Sequence, residues 1–163
     1  MKKILATLAL GLSLTSCQAQ TEFSKESLTG KLTTTDNKDI TFEEILKQNE
    51  GKVVVIEVWA SWCSDCVKSM PQVKELKAKY TDVAFVNLSC DKTFDAWKTG
   101  IEKHEVAGEN YLIKDGMKGE FGQSIKLDWI PRFIVVDKKG NIALFRAIEK
   151  DFDVIKETIE KNN

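Results

Sequence analysis

The chain has 163 residues, of which 42% are hydrophobic and 30% charged. This length and composition are typical of one globular domain that buries a single core. The formal net charge is −1, and segment 1–16 contains two lysines and no acidic residue, so the rest of the chain is slightly more acidic. A general nucleic-acid binder requires a concentrated basic surface, so nucleic acid is not an expected partner.

The N-terminal segment has the pattern of an export signal. Lys2 and Lys3 precede an apolar run from Ile4 to Leu14, which is too short to span a bilayer as a mature helix. The segment Leu14-Thr15-Ser16-Cys17 resembles the lipobox of bacterial lipoproteins, whose cysteine is acylated and becomes the new N-terminus. The alternative is an ordinary secretory signal in which Cys17 is incidental.

This leader determines the expected organisation and location of the chain. We expect a signal peptide over residues 1–16, a polar tether over residues 17–27 and one domain over residues 28–163. The protein is then extracytoplasmic and is anchored by lipid to a bacterial membrane, facing the periplasm. Disulfides can persist in that compartment.

The first half of the domain alternates strands and helices. Thr41 is a plausible N-cap with Glu44 as its capping-box partner, and Gly51 ends that helix. The β-branched run that begins at Val53 indicates a strand buried on both faces. In chain order we predict a strand at 28–35, a helix at 41–49, a strand at 53–59, a helix at 63–80 that contains Pro71, and a strand at 83–88.

The second half begins with a mixed segment and ends in a hairpin. Helices are expected near residues 94–105 and 119–124 of the mixed segment. The apolar runs 133–137 and 142–145 form a hairpin across a Lys-Lys-Gly-Asn turn, and a helix at 151–161 closes the chain. This order predicts an α/β fold with a central mixed β-sheet flanked by helices.

One motif carries chemistry: Trp59-Ala60-Ser61-Trp62-Cys63-Ser64-Asp65-Cys66. Two intervening residues place both sulfurs within one helical turn. Cys63 lies at a helix N-terminus, where free N–H groups and the helix dipole favour a thiolate. We therefore expect Cys63 to be the exposed nucleophile and Cys66 to be the shielded thiol that resolves a mixed disulfide.

This motif resembles the WCxxC site of thioredoxins and of their membrane-tethered periplasmic relatives, the TlpA/ResA/CcmG group. Pro71 matches the kink proline of that family, and Ile130-Pro131 matches its cis-proline loop. Glu57 falls where the family often has a buried acid. The resemblance covers about residues 28–161 and implies a thioredoxin-like fold.

The chain departs from a minimal thioredoxin at two places. The long segment between Cys66 and Pro131 matches the helical insertion of the tethered relatives, and we also expect an N-terminal extension to the thioredoxin-like fold of this chain. Ser64-Asp65 replaces the familiar Gly-Pro or Pro-Pro pair and should tune the redox potential. A carboxylate near both sulfurs disfavours the thiolate, which makes the couple more reducing.

The expected function is reduction of disulfides in exported proteins through Cys63. The chain has no dinucleotide fingerprint and no cofactor is expected, so electrons must come from a protein donor. The resemblance implies a membrane electron-transfer protein as donor and apocytochromes c among the clients. The alternatives are a disulfide oxidase or isomerase, a thiol peroxidase that uses Cys90, and a redox-inert lipoprotein that presents a peptide-binding groove.

Among the remaining site residues, Glu57 and Pro131 each have two interpretations. Glu57 either accepts the proton of the Cys66 thiol or is only a satisfied inward polar group. Trp62 is expected to stay exposed as a contact surface. If the Ile130-Pro131 bond is cis, the backbone of Ile130 can pair with a client strand; otherwise Pro131 is a simple strand-entry proline.

Cys90 and His104 could add ligands to the cysteine pair, but neither belongs to a second ligand pair, so no metal site is expected. Cys90 is expected to be a small buried residue. His104 is expected to be solvated.

Overall fold

The structure is a computed structural model that describes residues 20–163. The helices in this range are α1 (Lys25–Thr29), α2 (Phe42–Gln48), α3 (Ser64–Lys79), α4 (Phe94–His104), α5 (Glu120–Ser124) and α6 (Phe152–Asn162). The strands are β1 (Lys31–Thr34), β2 (Asp39–Thr41), β3 (Val54–Trp59), β4 (Ala84–Ser89), β5 (Glu109–Leu112), β6 (Arg132–Val136) and β7 (Ile142–Ala147).

The strands form one mixed sheet in the order β2-β1-β5-β4-β3-β6-β7. β3, β4 and β5 are parallel, whereas β6 pairs antiparallel with β3 and β7 antiparallel with β6. Every residue of β3 is buried, as the β-branched run predicts for a central strand covered on both faces. The α/β prediction, a central mixed sheet flanked by helices, is confirmed.

The two faces of the sheet carry separate core layers. On one face, Val53 and Val55 pack with Val73 and Leu76 of α3 and with the buried residues of α6. Because side chains alternate along a strand, Glu57 points to this same face, beneath α3. The opposite face packs against apolar residues of α2, α4 and α5, among them Phe42, Ile45, Trp97 and Phe121.

Local signals in the sequence place several helix ends correctly. Thr41 caps α2, and Glu44 closes the capping box by accepting a hydrogen bond from the Thr41 amide. α3 begins directly after Cys63, and Pro71 lies inside it. Each of these features depends only on neighbouring residues, which is why the sequence alone predicts them.

The N-terminal part of the domain differs from the expected strand at 28–35. Residues 25–29 form α1, and β1 begins only at Lys31. The Ser24 side chain caps α1 by accepting from the Ser27 amide. Ser27 is fully buried, and its hydroxyl donates to the carbonyl oxygen of Ser124 at the end of α5. α1 thus occupies a segment for which the sequence predicts tether and strand. It is held by a hydrogen bond from Ser27 to α5, a helix far along the chain.

β2 and β5 were not predicted from the sequence. β5 is short and contains Glu109 and Asn110, so it lacks the apolar run that marks β3. It is held between β4 and β1 by the ladder. Such a strand depends on its neighbours rather than on its own composition.

The predicted signal peptide and Cys17, the predicted site of lipidation, lie outside the described residues. Within residues 20–163, no helix is long and apolar enough to cross a membrane.

Candidate active site

Cys63 and Cys66 form a disulfide at the carboxyl end of the central strand. β3 ends at Trp59, a short turn follows, and Cys63 is the N-cap of α3. The two sulfur atoms are 2.14 Å apart and the two Cα atoms 5.3 Å apart. The predicted pairing of the two cysteines within the first helical turn is therefore present.

The helix N-terminus acts directly on the sulfur of Cys63. The backbone N–H of Cys66 points at this Sγ, with 3.1 Å between nitrogen and sulfur. In the reduced protein this amide and the helix dipole stabilise a thiolate at Cys63. Cys63 is 6% exposed and Cys66 is fully buried, so Cys63 is the more accessible cysteine but is less exposed than the sequence led us to expect.

The loop at Ile130-Pro131 lies opposite this sulfur. The peptide bond between the two residues is cis, as the resemblance implies. The carbonyl oxygen of Ile130 is 3.7 Å from Sγ of Cys63. The ladder between β6 and β3 begins only at Arg132, so the backbone of Ile130 lies outside the sheet pairing and beside the disulfide.

Two exposed tryptophans flank the disulfide. The side chains of Trp62 and Trp129 are 58% and 60% exposed, so Trp62 is exposed as expected, and its role as a contact surface stays a prediction. Together with Met117 they line a pocket of about 220 Å³ that also contains Cys63 and Ile130. This volume is sufficient for one large side chain.

Glu57 is a buried acid on the face of β3 that α3 covers. It is 5% exposed and lies between Asn87 of β4 and Phe133 of β6 in the ladder. Its Oε1 has no hydrogen-bond partner among the described residues. Burial raises the pKa of Glu57 to about 7, while the positive charge of Lys77 acts to lower this pKa.

Lys77 is a residue of this site that sequence reasoning missed. Its Nζ donates to Oδ1 of Asn87 at 3.1 Å and to the carbonyl oxygen of Ala107 at 2.7 Å. Because Asn87 is the ladder partner of Glu57, these bonds fix the ammonium group near the buried carboxyl. Burial lowers the pKa of Lys77, and the charge of Glu57 acts in the opposite direction. No motif marks this lysine, since its helical position gains meaning only from the packing of α3 on the sheet.

The residues between the cysteines lie at the surface. Ser64 is exposed, and Asp65 forms an ion pair with Lys68 at 3.3 Å, with 43% of its side chain exposed. The lysine offsets part of the carboxylate charge that the sequence analysis assigned to Asp65. Asp65 therefore disfavours a thiolate at the two cysteines less than an unpaired carboxylate would.

Cys90 is a buried thiol, as expected. It is 4% exposed, and burial, together with the negative charges of Asp91 and Asp115, raises its pKa to about 12. A peroxidatic cysteine needs an accessible thiolate at neutral pH. The structure therefore gives the peroxidase alternative no support at Cys90.

His104 is half-buried rather than solvated, and its Nε2 is buried without a partner among the described residues. No group of three or more potential metal ligands occurs within residues 20–163.

A buried carboxylate holds the turn that leads into the disulfide. Asp91 accepts hydrogen bonds from the amide and the hydroxyl of Ser61, the latter at 2.7 Å, and from the hydroxyl of Ser89 at 2.8 Å. α4 packs closely on the same turn, because a Cβ added at Gly100 would lie 2.5 Å from Cβ of Ser61. The turn that carries Trp62 and Cys63 is thus rigidly supported.

The fold and this site define a class of protein. A disulfide-bonded cysteine pair at the N-terminus of a helix, with a cis-proline loop beside it, forms a thiol–disulfide exchange site. Residues 51–142 match the family model described as "Thioredoxin-like". The chain belongs to the thioredoxin-like family and is a thiol–disulfide oxidoreductase.

Similar proteins agree with this assignment. Thiol-disulfide oxidoreductase ResA of Bacillus thuringiensis is 26% identical over 142 residues, which cover 86% of this chain and 78% of ResA. A thiol-disulfide oxidoreductase from Bacteroides fragilis superposes with a TM-score of 0.66 at 21% identity, covering 78% of this chain and 94% of that one. The structure of MTB dsbF gives a TM-score of 0.68 at 22% identity, covering 85% and 98%. These two structural likenesses establish the fold.

Proposed function

We propose that this protein reduces disulfides in exported proteins by exchange through Cys63. The observation that carries this proposal is the position of Sγ of Cys63. The sulfur lies at a helix N-terminus, 3.1 Å from an amide nitrogen, and lines a pocket open to the surface. A partner's disulfide can therefore approach Cys63 from the pocket, whereas Cys66 is fully buried.

The reaction follows from the order of the two thiols. In the reduced protein the Cys63 thiolate attacks one sulfur of the client disulfide, which forms a mixed disulfide and releases the first client thiolate. The Cys66 thiol gives its proton to Glu57, and the resulting thiolate attacks Sγ of Cys63. The second client thiolate leaves and the Cys63–Cys66 disulfide forms. Two electrons pass to the client.

The surroundings of the sulfur favour an extended polypeptide as client. The backbone of Ile130, free of the ladder, can pair with a client strand, and Pro131 contributes no competing N–H. Trp62 supplies an exposed apolar face beside the sulfur. Such a surface accepts the residues on either side of a client cysteine.

The proposed location rests on the leader, and the proposed electron donor rests on the resemblance to the tethered family. The leader predicts export and a lipid anchor at Cys17, and the expected donor is a membrane electron-transfer protein. The similarity to a ResA protein agrees with the tethered group named by the WCxxC motif. That resemblance makes apocytochromes c candidate clients.

Insulin reduction tests whether the protein is a catalyst. With dithiothreitol as donor, catalytic amounts of the full chain are expected to accelerate precipitation of the insulin B chain. The Cys63→Ser variant should give only the rate of dithiothreitol alone. If the wild type also gave only that rate, the protein would be a redox-inert binder and not a reductase.

Cys17 is expected to carry the lipid. The two lysines and the apolar run indicate export, and the lipobox indicates acylation at this residue. A fatty-acid probe supplied to cells should label the wild type and leave Cys17→Ser unlabelled. The matched control is Cys90→Ser, which should keep the label; equal labelling of the Cys17 variant would contradict the anchor.

A further inference from the structure

Both arginines of the chain bind the same carboxylate. Nε and Nη2 of Arg132 donate to Oδ1 of Asp128 at 3.1 and 3.0 Å, and Nη2 of Arg146 donates to the other oxygen, Oδ2. Arg132 is the better buried of the two, with 14% of its side chain exposed. All the guanidinium charge of this protein is thus gathered at one point.

Asp128 lies at one end of the loop beside the disulfide. Asp128 directly precedes the segment Trp129-Ile130-Pro131, and Arg132 directly follows it. The pair therefore closes a short loop whose middle carbonyl oxygen is 3.7 Å from Sγ of Cys63. The ion pair between Asp128 and Arg132 thus joins the two ends of the segment that contains this carbonyl.

The backbone of β7 is distorted where Arg146 reaches Asp128. Phe133 pairs with Ala147, but Val135 pairs with Leu144, so β7 contains one extra residue between these points. Arg146 lies within this bulge in the left-handed region, with φ of 61°, which is unfavourable for a residue with a Cβ. Bulges redirect side chains and are frequent next to active sites.

The arrangement is not the one that stability alone would favour. Within residues 20–163, Nε of Arg146 is buried without a hydrogen-bond partner, and an unmet buried donor is destabilising. An unfavourable backbone and an unmet donor at one residue indicate a functional constraint rather than a stabilising ion pair.

We propose that Asp128, Arg132 and Arg146 form a clamp that holds the Ile130-Pro131 loop at the distance from Cys63 that exchange with a polypeptide client requires. This inference rests on the proposed function. The three residues are positioning residues: they act through the backbone of Ile130 and do not touch the reacting sulfurs. A small disulfide needs only the sulfur, so the clamp matters for a client that pairs with the loop.

Arg146→Asn tests the clamp in the full chain. Asparagine tolerates the left-handed backbone, so the substitution removes the guanidinium and keeps the bulge. The matched control is Lys126→Asn, an exposed cation whose backbone is also left-handed, with φ of 53°. Asp128→Asn is the second variant, because it weakens both ion pairs without changing β7.

Two substrates are compared, insulin and bis(2-hydroxyethyl) disulfide. Arg146→Asn and Asp128→Asn should each lower kcat/KM for insulin at least fivefold and leave the small disulfide within twofold of wild type. Lys126→Asn should match wild type with both. Raising salt to about 1 M, where the screening length falls to about 3 Å, should slow the wild type on insulin more than it slows Arg146→Asn.

The failures of the two proposals give different results. Equal losses on both substrates, or no loss on insulin, would overturn the clamp and leave the reductase intact. A wild type that reacts with the small disulfide but not with insulin would overturn the polypeptide client and the clamp with it.

Discussion

Replacing Cys66 with serine is expected to leave client proteins attached to Cys63 as stable mixed disulfides. Cys63 is the only residue of the pair with measurable exposure, and the amide of Cys66 stabilises its thiolate. Without the second thiol, the mixed disulfide has no intramolecular attacker. Non-reducing electrophoresis of cells that express Cys66→Ser should show high-mass adducts that dithiothreitol dissolves.

Two matched variants, Cys63→Ser and Cys90→Ser, are expected to trap no client. Cys63→Ser removes the nucleophile, so it should trap no client and lose insulin reduction by at least about a thousandfold, as expected when a nucleophile is deleted. Cys90→Ser changes a buried thiol that is protonated at neutral pH and should retain activity and trap nothing. Adducts with Cys63→Ser and none with Cys66→Ser would reverse the roles of the two thiols.

Replacing Glu57 with glutamine is expected to slow resolution of the mixed disulfide. The amide keeps the size of the side chain but cannot accept the proton of Cys66. Because burial raises the pKa of Glu57 to about 7, the wild-type rate should rise with pH through about 7 and then level. The variant should lose this rise and resolve on the order of a hundredfold more slowly at pH 8, the lower end of what a positioned base contributes.

The same substitution is expected to stabilise the fold at alkaline pH. Between pH 4.5 and 7 the unfolded chain has released the Glu57 proton while the folded chain keeps it, so the free energy of unfolding falls as pH rises through this window. The difference corresponds to roughly 3 kcal/mol at most, at about 1.4 kcal/mol for each pKa unit. Urea unfolding at pH 8 should show Glu57→Gln to be more stable than wild type, and the difference should vanish below pH 4.5.

If Glu57→Gln is more stable than wild type but resolves the mixed disulfide more slowly, the loss of rate cannot be due to a weakened fold. The control is Glu105→Gln, an exposed acid whose pKa is lowered by its ion pair with Lys74; it should leave the resolution rate unchanged. If the pH–rate profile of Glu57→Gln matched wild type, Glu57 would be only a structural residue.

Lys77 provides an independent check on the proposed role of Glu57 as a base. Its charge lowers the pKa of Glu57, so Lys77→Met should move the midpoint of the pH–rate profile upward. Lys74→Met, earlier on α3 and exposed, should leave that midpoint near the wild-type value. The two substitutions Glu57→Gln and Lys77→Met should not add, because the lysine acts through the acid.

The part of the site that local sequence controls was predictable. The spacing of Cys63 and Cys66, the helix that starts between them and the strand before them all depend on residues that are close together in the chain. Pro131 was reached differently, since only the resemblance to a family connected it to cysteines so far away in the sequence. The buried acid at Glu57 was visible as one charge in an apolar run.

The parts that depend on tertiary packing were not predictable. In the sequence, Lys77 has the pattern of a solvated helical lysine. Only the packing of α3 on the sheet brings it to Asn87. In the sequence, Arg146 has the pattern of an ordinary strand residue. Its bond to Asp128 occurs within a bulge in β7. α1 and β5 have weak signals of their own and are held by partners far along the chain. In each case the deciding contact joins residues whose relation the sequence pattern does not show.

This oxidoreductase is proposed to work in the reducing direction, and the reduction potential of the Cys63–Cys66 couple tests that direction most directly. Equilibration of the full chain with a glutathione or dithiothreitol buffer should give a value nearer the thioredoxin potential of about −270 mV than the DsbA potential of about −120 mV. Asp65→His should raise the potential by only about 30 mV, since Lys68 already offsets the carboxylate. A wild-type potential above about −180 mV, the range of an isomerase, would contradict the reductase and favour an oxidase or isomerase.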